Sequence, residues 1–462
     1  MIRKALIFTG ILLLTMAIGV TVSAETNLTI VENAVRDGKS ADTLEWHDEV
    51  LPRFEKYMKE KGEDVNVEVV ETGVPDEDFK SRLIFDLKAG QGADIIALDQ
   101  FWAPEFVDGG LLEPLNHFSE DWDEWEDWDQ FYTGVRDMFK IDDEVYGIMN
   151  GTDLRPIFYN VELFKEAGIE NAENWQPESW EDIYEAARTI REELDGVTPL
   201  QVNAGEQMGE ATTMQGFYMV LLGTGERLYD YDRGKWLGAS QGLYDTLKFY
   251  EKVYVEENLG DGELQVQSGA RDRTFELFQD EKIAILAEGI YFWESVIAPG
   301  ASWGMEDRDE KISWAKMPAK KPGSGIRDQD YVTISGGGGY VPNPNTDHPE
   351  LALELLYFLN NYESKVDYWK IKGPRIPARK DVAEHDVIAE NEFAKELTDE
   401  LADLTVERPG FKEYPDVSRE AQIMTGEVAT GRKTPEEAMR SFKEAVQSIV
   451  GEDNVYDTYF NN

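Results

Sequence analysis

Between Leu28 and Leu98 the hydrophobic period switches repeatedly, and this rhythm restricts the fold more than any other feature. Leu28 to Val31 is a short apolar strand. Thr43 to Lys61 sets His47, Val50, Leu51, Phe54, Tyr57 and Met58 at helical spacing. Val65 to Glu71 alternates, Phe79 to Ala89 is helical, and Asp94 to Leu98 is a second apolar strand. Strand, helix, strand, helix, strand predicts an α/β lobe with a mainly parallel sheet. At 462 residues the chain exceeds what one core organises, so two lobes are expected.

Helices dominate the rest of the chain. Trp180 to Glu193 is amphipathic, with Ser179 as N-cap and Asp182 three residues on. Leu243 to Tyr254, Thr274 to Gln279, Pro349 to Asn361 and Glu392 to Leu404 are further helices, and Ile283 to Leu286 is a buried strand. Thr434-Pro435 opens a last long helix through Ile449. Pro318 to Gly325 and Gly336 to Pro344 mark loops. In Glu120 to Asp129, Trp122, Trp125 and Trp128 recur every three residues, which predicts a helix burying a tryptophan stripe.

Residues 1–24 read as an export signal. Arg3 and Lys4 precede an apolar run from Ala5 to Val22, and Val22-Ser23-Ala24 supplies small residues before Glu25. A transmembrane anchor is the rival reading; the cleavage site favours removal. With no cysteine, disulfides, thiolate metal sites and a lipid-bearing cysteine after the signal are excluded. A soluble periplasmic protein is therefore expected. The formal net charge is −48, from 93 Asp and Glu against 45 Lys and Arg. Such a surface repels nucleic acid and anionic lipid, and disfavours an acidic ligand. The acids are spread along the whole chain, which fits a solvated, halophilic surface whose self-repulsion salt screens.

Little catalytic chemistry is visible. There is no phosphate loop, dinucleotide fingerprint or nucleophile elbow, so no cofactor is expected. His47, His117, His348 and His385 form no metal spacing. The acids at Asp121, Asp123, Glu126, Asp127 and Asp129 lack the turn glycine of a calcium loop and read as a solvated face. Gly336 to Gly339 reads as a permissive turn rather than an anion cradle. A secreted glycoside hydrolase needs only two carboxylates, so it stays open as an alternative.

Several stretches, taken in order, are more specific: GADIIALDQFWAPEFVDGGLLEPL, VYGIMNGTDLRPIFYNVELFKEAGI, NWQPESWEDIYEAARTI, EKIAILAEGIYFWESV, SGGGGYVPNPNTDHPELALELLYFL, KGPRIPARKDV and EVATGRKTPEEAM. Together they resemble the extracellular solute-binding proteins, family 1, of sugar ABC importers, the group that contains maltose-binding protein. The resemblance spans nearly all of the mature chain. It implies two α/β lobes around a ligand cleft, closing at a hinge, and no enzyme activity. The implied partners are a carbohydrate and the membrane permease subunits, with the protein itself a monomer. A non-sugar solute such as a polyol or compatible solute remains an alternative. Lobe one would comprise 25–151 and 337–385, and lobe two 156–331 and 386–462. Crossovers would fall at 152–155 and 332–336, with a third around Ile376 to Val387.

The resemblance also suggests a site. Asp99, Gln100 and Trp102 follow a lobe-one strand, where open α/β sheets bind ligands. Asp153 and Arg155 lie on the first crossover, either gripping hydroxyls or forming a hinge ion pair. Tyr291 and Trp293 follow Gly289, and at least one is expected to stack on a sugar face. Gly337 and Gly338 would let ligand approach bare backbone, with Tyr340 beside them. Arg379 and Trp46 complete the set. Many relatives carry a tryptophan ahead of the last conserved helix; here the stretch reads Tyr414 to Arg419, so Tyr414 substitutes or the site is more polar.

Overall fold

The computed structural model describes residues 25–460, apart from 374 and 407. The export signal at 1–24 lies outside the described residues. The strand–helix alternation builds a five-stranded sheet in the order Val65–Glu71, Thr26–Glu32, Ile95–Asp99, Gly338–Pro342, Ile148–Met149. The first three strands are parallel. Helix Ala41–Lys61 buries Trp46, Val50, Leu51, Phe54 and Met58 beside it. Helix Tyr362–Lys372 packs on that helix, and the Trp46 indole N–H donates to the Ser364 carbonyl at 2.9 Å.

The second sheet runs Ile312–Ala315, Ile157–Asn160, Ile283–Ala287, Thr198–Gln201. Helix Trp180–Glu193 begins with the expected Ser179–Asp182 capping box, and helix Pro435–Val450 with one from Thr434 and Glu437. Parallel pairing joins the first three strands and, in the second sheet, Ile283–Ala287 to Thr198–Gln201, while two strands run the other way. Gly338–Pro342 is antiparallel to both its neighbours, and so is Ile157–Asn160. Each of these strands enters its sheet straight from a crossover, without the intervening helix that makes a strand–helix–strand unit parallel.

The crossovers form a belt between the sheets. Gly151–Thr152 pairs with Ile376–Pro377, Tyr331–Ile334 pairs with Thr405–Val406, and Asp153 bridges to Gly336. Helix Asp386–Ala389 stays with the first lobe, because Ile388 clusters with Val366, Trp369 and Val382. The move to the second lobe comes at helix Glu392–Leu401, whose Leu397 and Leu401 pack with Leu154 and Ile290. The boundary therefore falls later than residue 385.

Two local expectations are corrected. The tryptophan-rich segment forms short 3-10 turns at Trp122–Glu124 and Trp128–Gln130, not a helix. Trp125 stacks on Tyr357 at 4.8 Å and Trp122 meets Trp128 edge-on. These rings cover an existing core rather than forming a stripe of their own. Gly336 to Gly339 is not a turn, since Gly338 begins a central strand of the first sheet.

Candidate functional site

Strand ends and crossovers bring two polar clusters to the faces where the lobes meet. The first is an ion triad. Asp99 ends its strand and accepts from the Arg408 guanidinium at 2.8 Å, while Arg408 also reaches Glu210 at 3.4 Å. Arg408 is buried and lies 4.3 Å from the Phe101 ring centroid. The Tyr414 and Ser418 hydroxyls donate to Glu210 at 2.5 and 2.6 Å. Burial pushes the Asp99 and Glu210 carboxyls upward, with Arg408 opposing the shift. Burial also works against the charge on Arg408, but Asp99 and Glu210 outweigh it and hold its pKa above normal.

The second cluster grows from Glu288, just past strand Ile283–Ala287. The Tyr291 hydroxyl donates to Glu288 at 2.7 Å and accepts from Arg271 at 2.6 Å and from the Gln215 amide at 2.5 Å. Glu288 is almost fully buried, and burial raises the Tyr291 phenol above its usual pKa. Further links tie the lobes directly. Ser295 donates at 3.0 Å to Asp42, whose carboxylate Lys372 of the same lobe holds at 2.9 Å, and Lys412 pairs with Asp108 at 2.9 Å.

Of the sequence candidates, Asp99 and Tyr291 sit in these clusters. Gln100 is buried beside Asp99, its backbone N–H bonded to the Gly337 carbonyl at 3.2 Å. Asp153 and Arg155 take the hinge alternative. They form a buried pair in which Asp153 accepts from the Gly336 N–H at 3.0 Å and Arg155 donates to the Ile334 carbonyl at 3.0 Å. Three further rings fill core positions. Trp102 packs against Phe79 and Phe101. Trp46 stacks on Tyr340 and meets Tyr368 edge-on. Tyr340 donates to Glu32 at 2.5 Å, in a network with His47.

Trp293, expected with Tyr291 to supply at least one stacking face, has its ring covered by side chains of the protein. Phe393 stacks on it at 4.6 Å and Arg308 lies 4.1 Å from its centroid. Helix Glu392–Leu401, distant in sequence, supplies that cover. Gly337 and Gly338 serve backbone packing. Gly337 has φ +138°, and a Cβ on Gly338 would stand 2.8 Å from the Leu98 carbonyl oxygen. Arg379 spends its guanidinium on Asp127, Asp381 and the Asn360 carbonyl, fixing the third crossover to the tryptophan-rich turns. Tyr414 is buried, edge-on to Phe101.

Sequence reasoning missed Glu210, Gln215, Arg271, Glu288 and Arg408. Glu288 had a signal, being the first charge after the all-apolar run Ile283–Ala287, at a strand end. The others lie on helices or an irregular segment with no local pattern. Among the described residues, no three His, Asp or Glu are placed to hold a metal, and no helix is long and apolar enough to cross a membrane.

Comparison with known proteins agrees with this architecture. The chain is 25% identical over 402 residues to the arabinooligosaccharide-binding protein of Halalkalibacterium halodurans, covering 83% of this chain and 82% of that one. It is 22% identical to the maltodextrin-binding protein of Bacillus subtilis, over 92% and 93% of the two chains. Among solved structures, an ABC transporter solute-binding protein from Thermotoga lettingae, bound with α-D-tagatose, superposes with a TM-score of 0.75 at 24% identity. That match covers 93% of this chain and 100% of the other. Maltose-bound MalE3 of T. maritima gives 0.75 at 19% identity, over 92% and 100%. These neighbours are two-domain binding proteins of the MalE type, and the chain shares their α/β fold. The family profile itself matches residues 40–366. The chain belongs to the bacterial extracellular solute-binding proteins.

Proposed function

We propose that this protein is the substrate-binding subunit of a carbohydrate ABC importer. On this reading it captures a mono- or oligosaccharide between its lobes and delivers it to the membrane permease as a soluble, monomeric periplasmic protein. The observation that carries the reading is the paired polar clusters. Asp99, Arg408 and Glu210 bridge the lobes, while Glu288, Tyr291, Arg271 and Gln215 face them from the second lobe. Charged and amide groups of this kind grip sugar hydroxyls through charge-assisted hydrogen bonds. The relatives named for arabinooligosaccharide and maltodextrin support carbohydrate over another solute.

Catalysis is not proposed. A glycosidase needs one carboxylic acid and one free carboxylate across the bond. Here Asp99 and Glu210 are both committed to the same guanidinium. A thermal-shift screen over a carbohydrate panel tests the reading. A cognate sugar at about 100 times its dissociation constant adds about 2.7 kcal/mol. Incubation with that sugar should release no product. A panel with no stabilising sugar, or one that is cleaved, refutes the reading.

A further inference from the structure

Between strand Thr405–Val406 and helix Tyr414–Ala429 the chain carries an irregular segment, RPGFKEY at 408–414, that reaches from the second lobe to the first. Its contacts there fall on one stretch: the strand end at Asp99, the turn Gln100–Trp102 and the helix Ala103–Asp108. At one end Arg408 bonds Asp99 at 2.8 Å and lies 4.3 Å from the centroid of Phe101. Tyr414 meets the same ring edge-on at 5.8 Å. Lys412 pairs with Asp108 at 2.9 Å, with about half of each side chain exposed. Phe411 turns the opposite way and holds the segment to the second lobe, its ring 4.3 Å from that of Tyr229 and 5.8 Å from that of Trp236.

The charges of the two facing stretches are complementary. With acids spread along a chain of net charge −48, bringing two lobes together works against repulsion. The stretch from Asp99 to Asp108 carries three acids and no cation, and Lys80 of the same lobe holds Glu105 at 2.6 Å. The segment meets the other two acids, Asp99 and Asp108, with its own two cations. An exposed ion pair adds little to the stability of a fold. Open and closed arrangements of two lobes differ by far less than folded and unfolded chains do, so the same energy moves their ratio severalfold.

We infer that residues 408–414 are a clasp that holds the lobes closed, and that the Asp108–Lys412 pair, outside both polar clusters, is the contact that sets how readily they part. The inference rests on the reading that the lobes close around a solute, and it is the same whatever that solute is.

The chain has no cysteine, so K56C and E192C place two unique spin labels at exposed helix positions, one on each lobe. Dipolar spectroscopy of the sugar-free protein then reads the distance between the lobes. K412E, which sets two acids face to face, should raise the ratio of long-distance to short-distance molecules about threefold to tenfold. The double variant K412E/D108K restores an opposite pair and should return the parent's ratio. Urea midpoints of both variants should match the parent's, which separates opening from unfolding. A K412E distance distribution equal to the parent's, or a double variant as open as K412E, overturns the clasp and leaves the carbohydrate reading standing. Opening in K412E, in a protein that no sugar of the panel stabilises, upholds the clasp and overturns the carbohydrate reading alone.

Discussion

Replacing Arg408 with methionine removes the cation of the interlobe triad while keeping an apolar stem against Phe101. Arg408 exposes 2% of its side chain, Glu210 18% and Asp99 38%, so the two carboxylates suffer unequally. Breaking a fully buried ion pair costs about 3–5 kcal/mol, because one charge stays buried and unpaired. Asp99 keeps water over a third of its surface and contributes little of that. Glu210 bears most of it, eased by the hydroxyls of Tyr414 and Ser418. The expected loss near neutral pH is about 2–3 kcal/mol.

The pH dependence has a definite sign. Burial already holds both carboxyls above their unfolded pKa values, and Arg408 opposes that shift, helped at Glu210 by the Ser418 and Tyr414 hydroxyls and at Asp99 by the Phe101 N–H. Without it they rise further. A group raised in the folded state contributes stability that is full below its unfolded pKa, about 4, and is lost as pH rises through the folded value. R408M should therefore lose most at about pH 7.5 and much less at about pH 4.5. Urea midpoints of parent and variant at both values measure this, with the parent cancelling all other titrations. An equal gap at the two pH values, or no gap near neutrality, refutes the reasoning.

Trp293→Ala should destabilise the second lobe by about 3–5 kcal/mol, read as a lowered denaturation midpoint, because the ring is sandwiched between Phe393 and Arg308; affinity of the folded fraction for its sugar should be unchanged. Gly338→Ala should cost about 1–3 kcal/mol, since the new Cβ meets the Leu98 carbonyl oxygen at 2.8 Å in a central sheet position; a midpoint equal to the parent's would contradict this. At a net charge of −48 the protein should resist urea better in molar potassium chloride than at low ionic strength, because salt screens the distributed repulsion.

The sequence by itself determined the elements whose causes are local. Periodicity found the helix that buries Trp46 and Phe54, the strand Val65–Glu71 and the capping boxes at Ser179 and Thr434, since each depends only on neighbours in the chain. Ordered motif strings identified the family because many weak matches in one order are jointly specific. Asp99 and Tyr291 were legible for a related reason: strand ends in an α/β sheet point to where the lobes meet. The tertiary structure decided what covers each ring and which charge meets which. Trp293 and Phe393 are a hundred residues apart in sequence, and nothing local to Trp293 signals that a later helix will lie on its face. For Arg379 the sequence left a ligand role and a structural one open, and only the fold brought Asp127 to it. Arg408 and Glu210 carry no motif because their meaning is each other and Asp99, brought together by crossovers that part each lobe in sequence and join it in space. Burial, which turns such contacts into costly commitments, exists only once the chain has folded.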